Sequence, residues 1–173
     1  MESLVEHFNK IRATYLYSFI GQYAISTPKY IELIGENFNL LVGTSFKKDI
    51  NLPISQIINK YQDHMSDPKS SNEVSIFLDC IFSSHAFNFL SNSKIYSDLS
   101  EYKEVKLLNH ISSAALNNNI FNLSTSVLQN NVIWRNKKLT IRRNEKICFY
   151  SFMKAGDLTI LFEDISKILE NQT

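Results

Sequence analysis

Apolar side chains recur every three to four residues along most of the chain, which is the period of one face of an amphipathic helix. Pro28 and Pro53 suit the first turn of a helix, because the N–H that proline lacks would be unpaired there anyway. Asp157 is expected to cap the last helix. The pattern predicts helices at residues 2–25, 28–41, 51–65, 73–91, 100–117 and from Asp157 onwards.

The helical period ends at LNNNIFNLSTS, residues 116–126. After it come two short β-type runs, KKLTI at 137–141 and KICFY at 146–150, separated by the polar residues RRNE. Two such runs around a polar turn are typical of a β-hairpin. We therefore expect a mainly α fold, a helical bundle of five to six helices with a small C-terminal β-hairpin.

The polar stretch SDPKSSN, residues 66–72, is the most linker-like part of the chain. It separates an N-terminal helical group, 1–65, from 73–173, which contains a helical core, the basic hairpin and the C-terminal helix. The total length suits one compact domain overall. Residues 73–91 are apolar on nearly every side, which favours a helix buried at the centre of the bundle.

Composition narrows the class of protein further. Apolar residues make up 44% of the chain and charged residues 20%, which is enough for a core and argues against intrinsic disorder. The start, MESLVEHFNK, does not have the form of a signal peptide, and no apolar run reaches the ~18–20 residues that span a bilayer. Cys80 and Cys148 are expected to be reduced thiols. We expect an intracellular protein, cytoplasmic or nuclear, without a membrane partner.

Candidate chemistry is sparse. The sequence contains no nucleophile elbow, phosphate-binding glycine loop, dinucleotide fingerprint or HExxH motif. The cysteines and the four histidines, His7, His64, His85 and His110, do not form the two close pairs of a structural zinc site. We expect the carboxylates to cap helices or to lie on solvated helix surfaces; they are Glu101, Glu104, Asp157, Glu163 and Asp164. We expect no enzyme activity, no metal, no cofactor and no small-molecule substrate.

Positive charge is concentrated in one stretch, beside the single tryptophan. Six cations within residues 135–146 oppose only Glu145, so this stretch carries +5 and the rest of the chain −4. Such a patch is able to neutralise phosphates, with Trp134 available to stack on a base. A solvated turn anchored by a buried tryptophan is the competing interpretation. The candidate nucleic-acid-binding residues are Trp134, Arg135, Lys137, Lys138, Arg142, Arg143 and Lys146.

Residues 88–165 resemble the region that follows the polymerase in LINE-like non-LTR retrotransposon reverse transcriptases. There a FYKEV helix precedes a PIWxN turn, a short basic hairpin, a glycine and an aspartate-containing helix. The matching positions are Tyr102, Lys103, Glu104, Val105, Ile133, Trp134, Asn136, Lys146, Phe149, Tyr150, Gly156 and Asp164. The chain departs from the pattern at Val132, where the family has proline, at Phe152 or Met153, where it has a second tryptophan, and at Asp157, where isoleucine is usual.

The resemblance implies a non-catalytic tail segment, because the paired aspartates of a reverse transcriptase turn are missing from this sequence. Its implied partner is RNA or single-stranded DNA. The alternative is a small helical protein-interaction module, host- or virus-encoded, that takes a partner helix into an apolar groove between the 73–91 helix and the N-terminal helices.

Overall fold

The computed structural model of this chain describes residues 3–26, 39–42, 50–123 and 132–172. Within these ranges the α-helices are α1 Leu4–Ser26, α2 Ile54–Ser66, α3 Pro68–Ser91, α4 Tyr96–Leu99, α5 Lys103–Leu116 and α6 Ala155–Glu170. The strands are β1 Asn39–Val42, β2 Ile50–Pro53, β3 Ile133–Trp134 and β4 Lys137–Lys138, and a 3₁₀ turn covers Ile141–Arg143. The predicted fold class, mainly α with a small C-terminal hairpin, is confirmed.

The chain divides into two compact units. The first contains Met1–Leu16 and Ser75–Thr173, and the second contains Tyr17–Val74. Among the described residues, every buried apolar side chain except that of Ile58 belongs to the first unit. The first unit therefore holds the main core.

The core of the first unit is built from the start of α1 and from α5 and α6. Helix α6 buries Leu158, Leu161, Phe162, Ile165 and Leu169, a spacing that places them on one face. The edge of Phe8 meets the ring of Phe162 at a centroid distance of 5.7 Å, and the hydroxyl of Ser166 donates to Oδ1 of Asn9 at 2.7 Å. The first and last helices are thus directly packed.

Helix α3 does not have the uniformly buried surface that its composition predicts. Ser75, Asp79 and Ser83, spaced four residues apart, are buried, whereas Phe77 is 63% exposed and Ile81 44% exposed. By length and composition the segment Asn72–Ser91 is apolar enough to cross a membrane, with a mean hydropathy of 1.3, and 28% of it is buried. The buried side of α3 is polar in its first half and apolar at Ala86 and Leu90, and Asp79 finds a hydroxyl partner on α1, as described below.

The predicted linker at 66–72 is wrong in one respect: only Asp67 lies outside a helix. Its carboxylate accepts a hydrogen bond from the N–H of Lys69 at 3.3 Å, which caps the start of α3. Pro68 then occupies the first helical position. The polar residues of this segment therefore lie at a break of one residue between two helices.

The second unit contains an antiparallel strand pair that was not predicted, in which Asn39 pairs with Pro53 and Val42 with Ile50. Strand β1 occupies the end of the predicted 28–41 helix, so that part of the prediction is wrong; residues 28–38 lie outside the described part. Pro53 is the last residue of β2 and precedes α2. The side chain of Gln62 donates to the carbonyl of Ile25 at 2.9 Å.

The C-terminal hairpin forms earlier in the chain than predicted. Ile133 pairs with Lys138 and Trp134 with Lys137 across a two-residue turn. The turn needs a left-handed residue, and Arg135 supplies it with φ of 51°. Ile147, in the second predicted strand, bridges instead to Ile120, the residue four after α5.

Candidate nucleic-acid interface

Trp134 anchors the hairpin to the core and is not free to stack on a base. Its side chain is 2% exposed, and its indole N–H donates to Oδ2 of Asp164 on α6 at 2.9 Å. This position fits the competing interpretation, a turn anchored by a buried tryptophan, and leaves almost none of the ring exposed to a base. A buried indole with a satisfied N–H is the usual arrangement of a core tryptophan.

Arg135 shares the carboxylate that Trp134 uses. Its Nε and Nη2 donate to Oδ2 and Oδ1 of Asp164 at 3.1 and 3.0 Å, and its guanidinium lies 5.6 Å from the centre of the Trp134 ring. This bidentate pair lowers the pKa of Asp164 and raises that of Arg135. Because Asp164 neutralises its charge, Arg135 adds little to the net attraction of a polyanion, although three of its five N–H donors are not used by Asp164.

Lys137 is also engaged. Its ammonium donates to the carbonyl of Phe152 at 2.7 Å and lies 2.9 Å from Oδ2 of Asp157. Asp157 is not the N-cap of the last helix as predicted; it is the third residue of α6, and its carboxylate accepts the N–H of Lys154 at 2.7 Å. Like an N-cap side chain, a carboxylate in the first turn accepts a backbone N–H at the start of the helix and interacts favourably with the helix dipole.

The other four cations have a different environment. The side chains of Lys138, Arg142 and Lys146 are exposed, and none has an ion-pair or hydrogen-bond partner within the described part of the chain. Arg143 is half-buried, with its guanidinium 5.5 Å from the centre of the Phe152 ring. We call Lys138, Arg142, Arg143 and Lys146 the basic segment.

The basic segment is tied to the residues that follow α5. The N–H of Phe121 donates to the carbonyl of Lys146 at 2.9 Å, and the N–H of Glu145 donates to the carbonyl of Phe121 at 2.8 Å. The side chain of Asn144 accepts the N–H of Leu123 at 2.6 Å. These bonds order the backbone of the segment before any ligand arrives, which reduces the entropy lost on binding.

A second polar cluster lies in the core and was missed from sequence. Tyr15 on α1 donates a hydrogen bond of 2.5 Å to Oδ1 of Asp79 on α3, and Oδ2 of Asp79 is buried without a hydrogen-bond partner. Burial raises the pKa of Asp79 to about 7, although the bond from Tyr15 opposes this, and burial raises the pKa of Tyr15 as well. The four-residue spacing of Ser75, Asp79 and Ser83 was the available signal.

The two thiols are both protonated at neutral pH. Burial, with a smaller contribution from Asp79, raises the pKa of Cys80 to about 11. Cys148 is buried, and this burial raises the pKa of its thiol further above the usual range. Thiolates are the nucleophilic and metal-binding form of cysteine, so neither side chain is activated for such chemistry.

The histidines are dispersed. His7 stacks on Phe89 with a centroid distance of 4.3 Å, His85 is exposed, and half-buried His110 has a pKa lowered by burial. The side chain of His64 lies outside the described part. Within the described residues, no three His, Cys, Asp or Glu side chains converge on a point suited to a metal ion.

The carboxylates considered for acid–base chemistry each lie beside a cation. The pairs are Glu101–Lys106 at 3.0 Å, Glu104–Lys103 at 4.0 Å, Asp157–Lys137 at 2.9 Å, Glu163–Lys167 at 2.8 Å and Asp164–Arg135 at 3.0 Å.

Comparison with known protein families, with curated proteins and with solved structures finds no match to this chain.

Proposed function

We propose that this chain is a non-catalytic helical domain, related to the tail of a LINE-like reverse transcriptase, that binds the phosphate backbone of RNA or single-stranded DNA. The basic segment is its contact surface. One observation carries the proposal: the segment presents three exposed cations that have no carboxylate partner among the residues that the structure describes, whereas Arg135 and Lys137 in the adjoining hairpin are both paired.

The composition of the basic segment supports a role in binding phosphates. The basic segment contains four cations, and Glu145 is the carboxylate interspersed with them. Exposed cations close together repel one another, and a polyanion relieves this repulsion while it releases its own counterions. Arg143 is held against Phe152 by a cation–π contact, so its charge stays beside those of its neighbours.

Binding of this kind reads the backbone and carries little sequence preference, because phosphates are the same at every position. Four phosphate contacts to a single strand predict that log K falls with log[salt] with a slope of about −3. Trp134 contributes rigidity to the hairpin that precedes the segment, through Asp164. The site residues of the proposal are therefore the basic segment alone.

The test is anisotropy with a labelled mixed-sequence RNA and the same single-stranded DNA, from 25 to about 200 mM salt, a range over which such contacts weaken strongly. The triple variant Lys138→Gln/Arg142→Gln/Lys146→Gln should reduce the salt slope to about −1. The matched control removes the same charge from exposed lysines elsewhere: Lys60→Gln/Lys69→Gln/Lys94→Gln. Absence of binding at the lowest salt, or equal loss in both variants, refutes the proposal.

A second candidate function is a protein-interaction module. It is favoured by Phe77 and Ile81, one helical turn apart on α3 and exposed to solvent. Contiguous apolar side chains on a surface helix are typical of a docking face. Amphipathic helical peptides should then shift the NMR signals of α3 residues around Phe77, and Phe77→Ser/Ile81→Ser should abolish these shifts. Unchanged signals at saturating peptide exclude this candidate.

A further inference from the structure

A shallow groove of about 580 Å³ lies between the start of α5, the hairpin turn and the last turns of α6. We call it the α5–α6 groove. Tyr102 and Ile168 supply an apolar wall. The charged lining consists of three cations, Lys103, Arg135 and Lys167, and two carboxylates, Glu104 and Asp164. This volume falls within the roughly 300–1,000 Å³ that is usual for small-molecule sites. The cations of the basic segment do not line it.

The cations of the groove face solvent more than the acids that hold them. The exposed fractions of the side chains are 60% and 13% for Lys103–Glu104, 54% and 19% for Arg135–Asp164, and 61% and 42% for Lys167–Glu163. A solute that enters the groove therefore meets ammonium and guanidinium groups before it meets carboxylates. The accessible surface favours an anion, although the paired groups nearly balance in charge.

Free donors remain on each cation. Arg135 has five N–H donors, and Asp164 uses two of them, at Nε and Nη2. Each lysine has three donors, and Lys103 and Lys167 each lie beside one carboxylate, at 4.0 and 2.8 Å. A tetrahedral group with several acceptor oxygens is able to use several of these donors at once.

The guanidinium is also held in place before binding. Arg135 is fixed from one side by Asp164 and from another by the ring of Trp134. Its backbone has φ of 51°, a left-handed conformation that residues with a side chain rarely adopt. With its fork oriented in this way, the guanidinium loses little further side-chain entropy when it binds an anion.

We propose that the α5–α6 groove binds a phosphate monoester attached to a flat ring, as in a nucleoside monophosphate. The phosphate lies among Lys103, Arg135 and Lys167, and the ring packs on the exposed part of Tyr102 and on Ile168. Aromatic side chains such as tyrosine stack on any base, because every base presents a flat π-face. This site does not depend on polyanion binding by the basic segment.

The indole N–H of Trp134, the single tryptophan of the chain, reports directly on the groove, because the side chain lines it and donates to Asp164. We expect adenosine 5′-monophosphate to shift its ¹H–¹⁵N cross-peak in a saturable titration. Adenosine, which lacks the anion, should need at least tenfold more ligand, and inorganic phosphate should also bind more weakly. Equal effects of adenosine and its monophosphate overturn the proposal.

Charge-neutral variants separate the groove from its surroundings. Lys103→Gln/Lys167→Gln should weaken binding of the monophosphate at least fivefold. Lys94→Gln/Lys106→Gln is the matched control, because it removes the same charge from two lysines that do not line the groove. Surface ion pairs contribute little to stability, so both proteins should unfold at the wild-type temperature. Wild-type affinity in the Lys103→Gln/Lys167→Gln variant refutes the groove as the site.

A phosphate monoester on a nucleoside occurs both in a free nucleotide and at the 5′ end of a nucleic-acid chain, and a further titration distinguishes these two ligands. A short oligonucleotide with a 5′-phosphate and its 5′-hydroxyl counterpart are titrated while the Trp134 cross-peak is observed. Tighter binding of the phosphorylated oligonucleotide than of the mononucleotide assigns the groove to a chain end, and equal or weaker binding assigns it to a free nucleotide. The triple variant of the basic segment should leave the mononucleotide affinity unchanged, so failure of one proposal is distinguishable from failure of the other.

Discussion

The hydroxyl of Tyr15 donates a 2.5 Å hydrogen bond to a carboxylate oxygen of Asp79, while the second oxygen of Asp79 has no partner in a fully buried position. An ionised carboxylate is poorly solvated in such a place, which is why its pKa rises to about 7. The folded protein therefore binds a proton at this site that the unfolded chain has already released above pH 4.

This proton uptake makes stability depend on pH. The folded pKa of Asp79 is raised from 3.8 to about 7, so its contribution to stability is complete below pH 4 and is lost as pH rises towards 7. Asp79→Asn keeps an acceptor for Tyr15 and carries no charge. We expect the variant to be more stable than the wild type at pH 8, by on the order of 2 kcal/mol, and to lose this advantage at pH 5.

Urea unfolding of both proteins at pH 5 and pH 8 measures this difference. Burial lowers the pKa of His110, which adds a slope of the opposite sign near its ordinary pKa of 6.5, but that slope is common to both proteins and cancels in their difference. Tyr15→Phe is the complementary control: it leaves both oxygens of Asp79 unpartnered and should destabilise the protein by about 1–3 kcal/mol. A stability difference that stays constant with pH contradicts the assignment.

Asp164 should show the reverse dependence. The guanidinium of Arg135 holds the pKa of Asp164 below its ordinary value of 3.8, so the stability that it supplies is present at neutral pH and is lost as the pH falls below 4. Asp164→Asn should destabilise the protein at pH 7 by about 1–2 kcal/mol, because the amide leaves Arg135 without its bidentate partner. Glu163→Gln, next to it in α6, should leave stability close to that of the wild type, because its ion pair with Lys167 is exposed. Unfolding monitored by Trp134 fluorescence measures the stability of the two variants. Equal losses of stability would contradict the role of Asp164 as the anchor of Trp134 and Arg135.

Glu145 offers a variant with two separable effects. It is exposed and has φ of 57°, which glycine adopts without strain. Glu145→Gly should stabilise the protein by about 0.5–1 kcal/mol, the relief of left-handed strain less the greater entropy of glycine in the unfolded chain. Glu145→Gln changes the charge alone: it should leave stability unchanged, and both variants should bind RNA more tightly. Destabilisation by glycine would show that the left-handed conformation is not strained.

The thiols give a direct check of burial. With a pKa of about 11, the half-buried thiol of Cys80 is about 0.1% ionised at pH 8, so it should react with an aromatic disulfide reagent far more slowly than free cysteine. Cys148 should react only when the protein unfolds. Cys80→Ser isolates Cys148, and its rate should follow the denaturant concentration. A fast second thiol in the native protein contradicts the packing around Cys148.

The sequence predicted those parts of the fold that depend on local periodicity. Helices α1, α5 and α6 lie where their apolar spacing placed them, because one face of each packs on a core. The hairpin was misplaced because its turn uses a left-handed Arg135 in place of glycine or asparagine at that position, and its strands are two residues long. No local signal predicts a turn of this composition.

The sequence showed that positive charge is concentrated in this stretch, but it did not show which of the cations are paired with carboxylates and which are exposed. Arg135 and Trp134 meet Asp164, and Lys137 meets Asp157, across 29, 30 and 20 residues of chain. Pairings of this kind depend on tertiary packing, and spacing along the chain does not encode them. The same limit hid Asp79, whose partner Tyr15 lies 64 residues earlier.

The hydrogen bond between Ser166 and Asn9 has a consequence for synthesis. The two residues are 157 positions apart, and the rings of Phe8 and Tyr15 both pack on Phe162. At a translation rate of 5–20 residues per second, about 8 to 30 seconds separate their appearance at the ribosome. For that interval the faces of Phe8 and Tyr15 that pack on Phe162 lack this partner, and a nascent chain that ends before α6 leaves those faces uncovered.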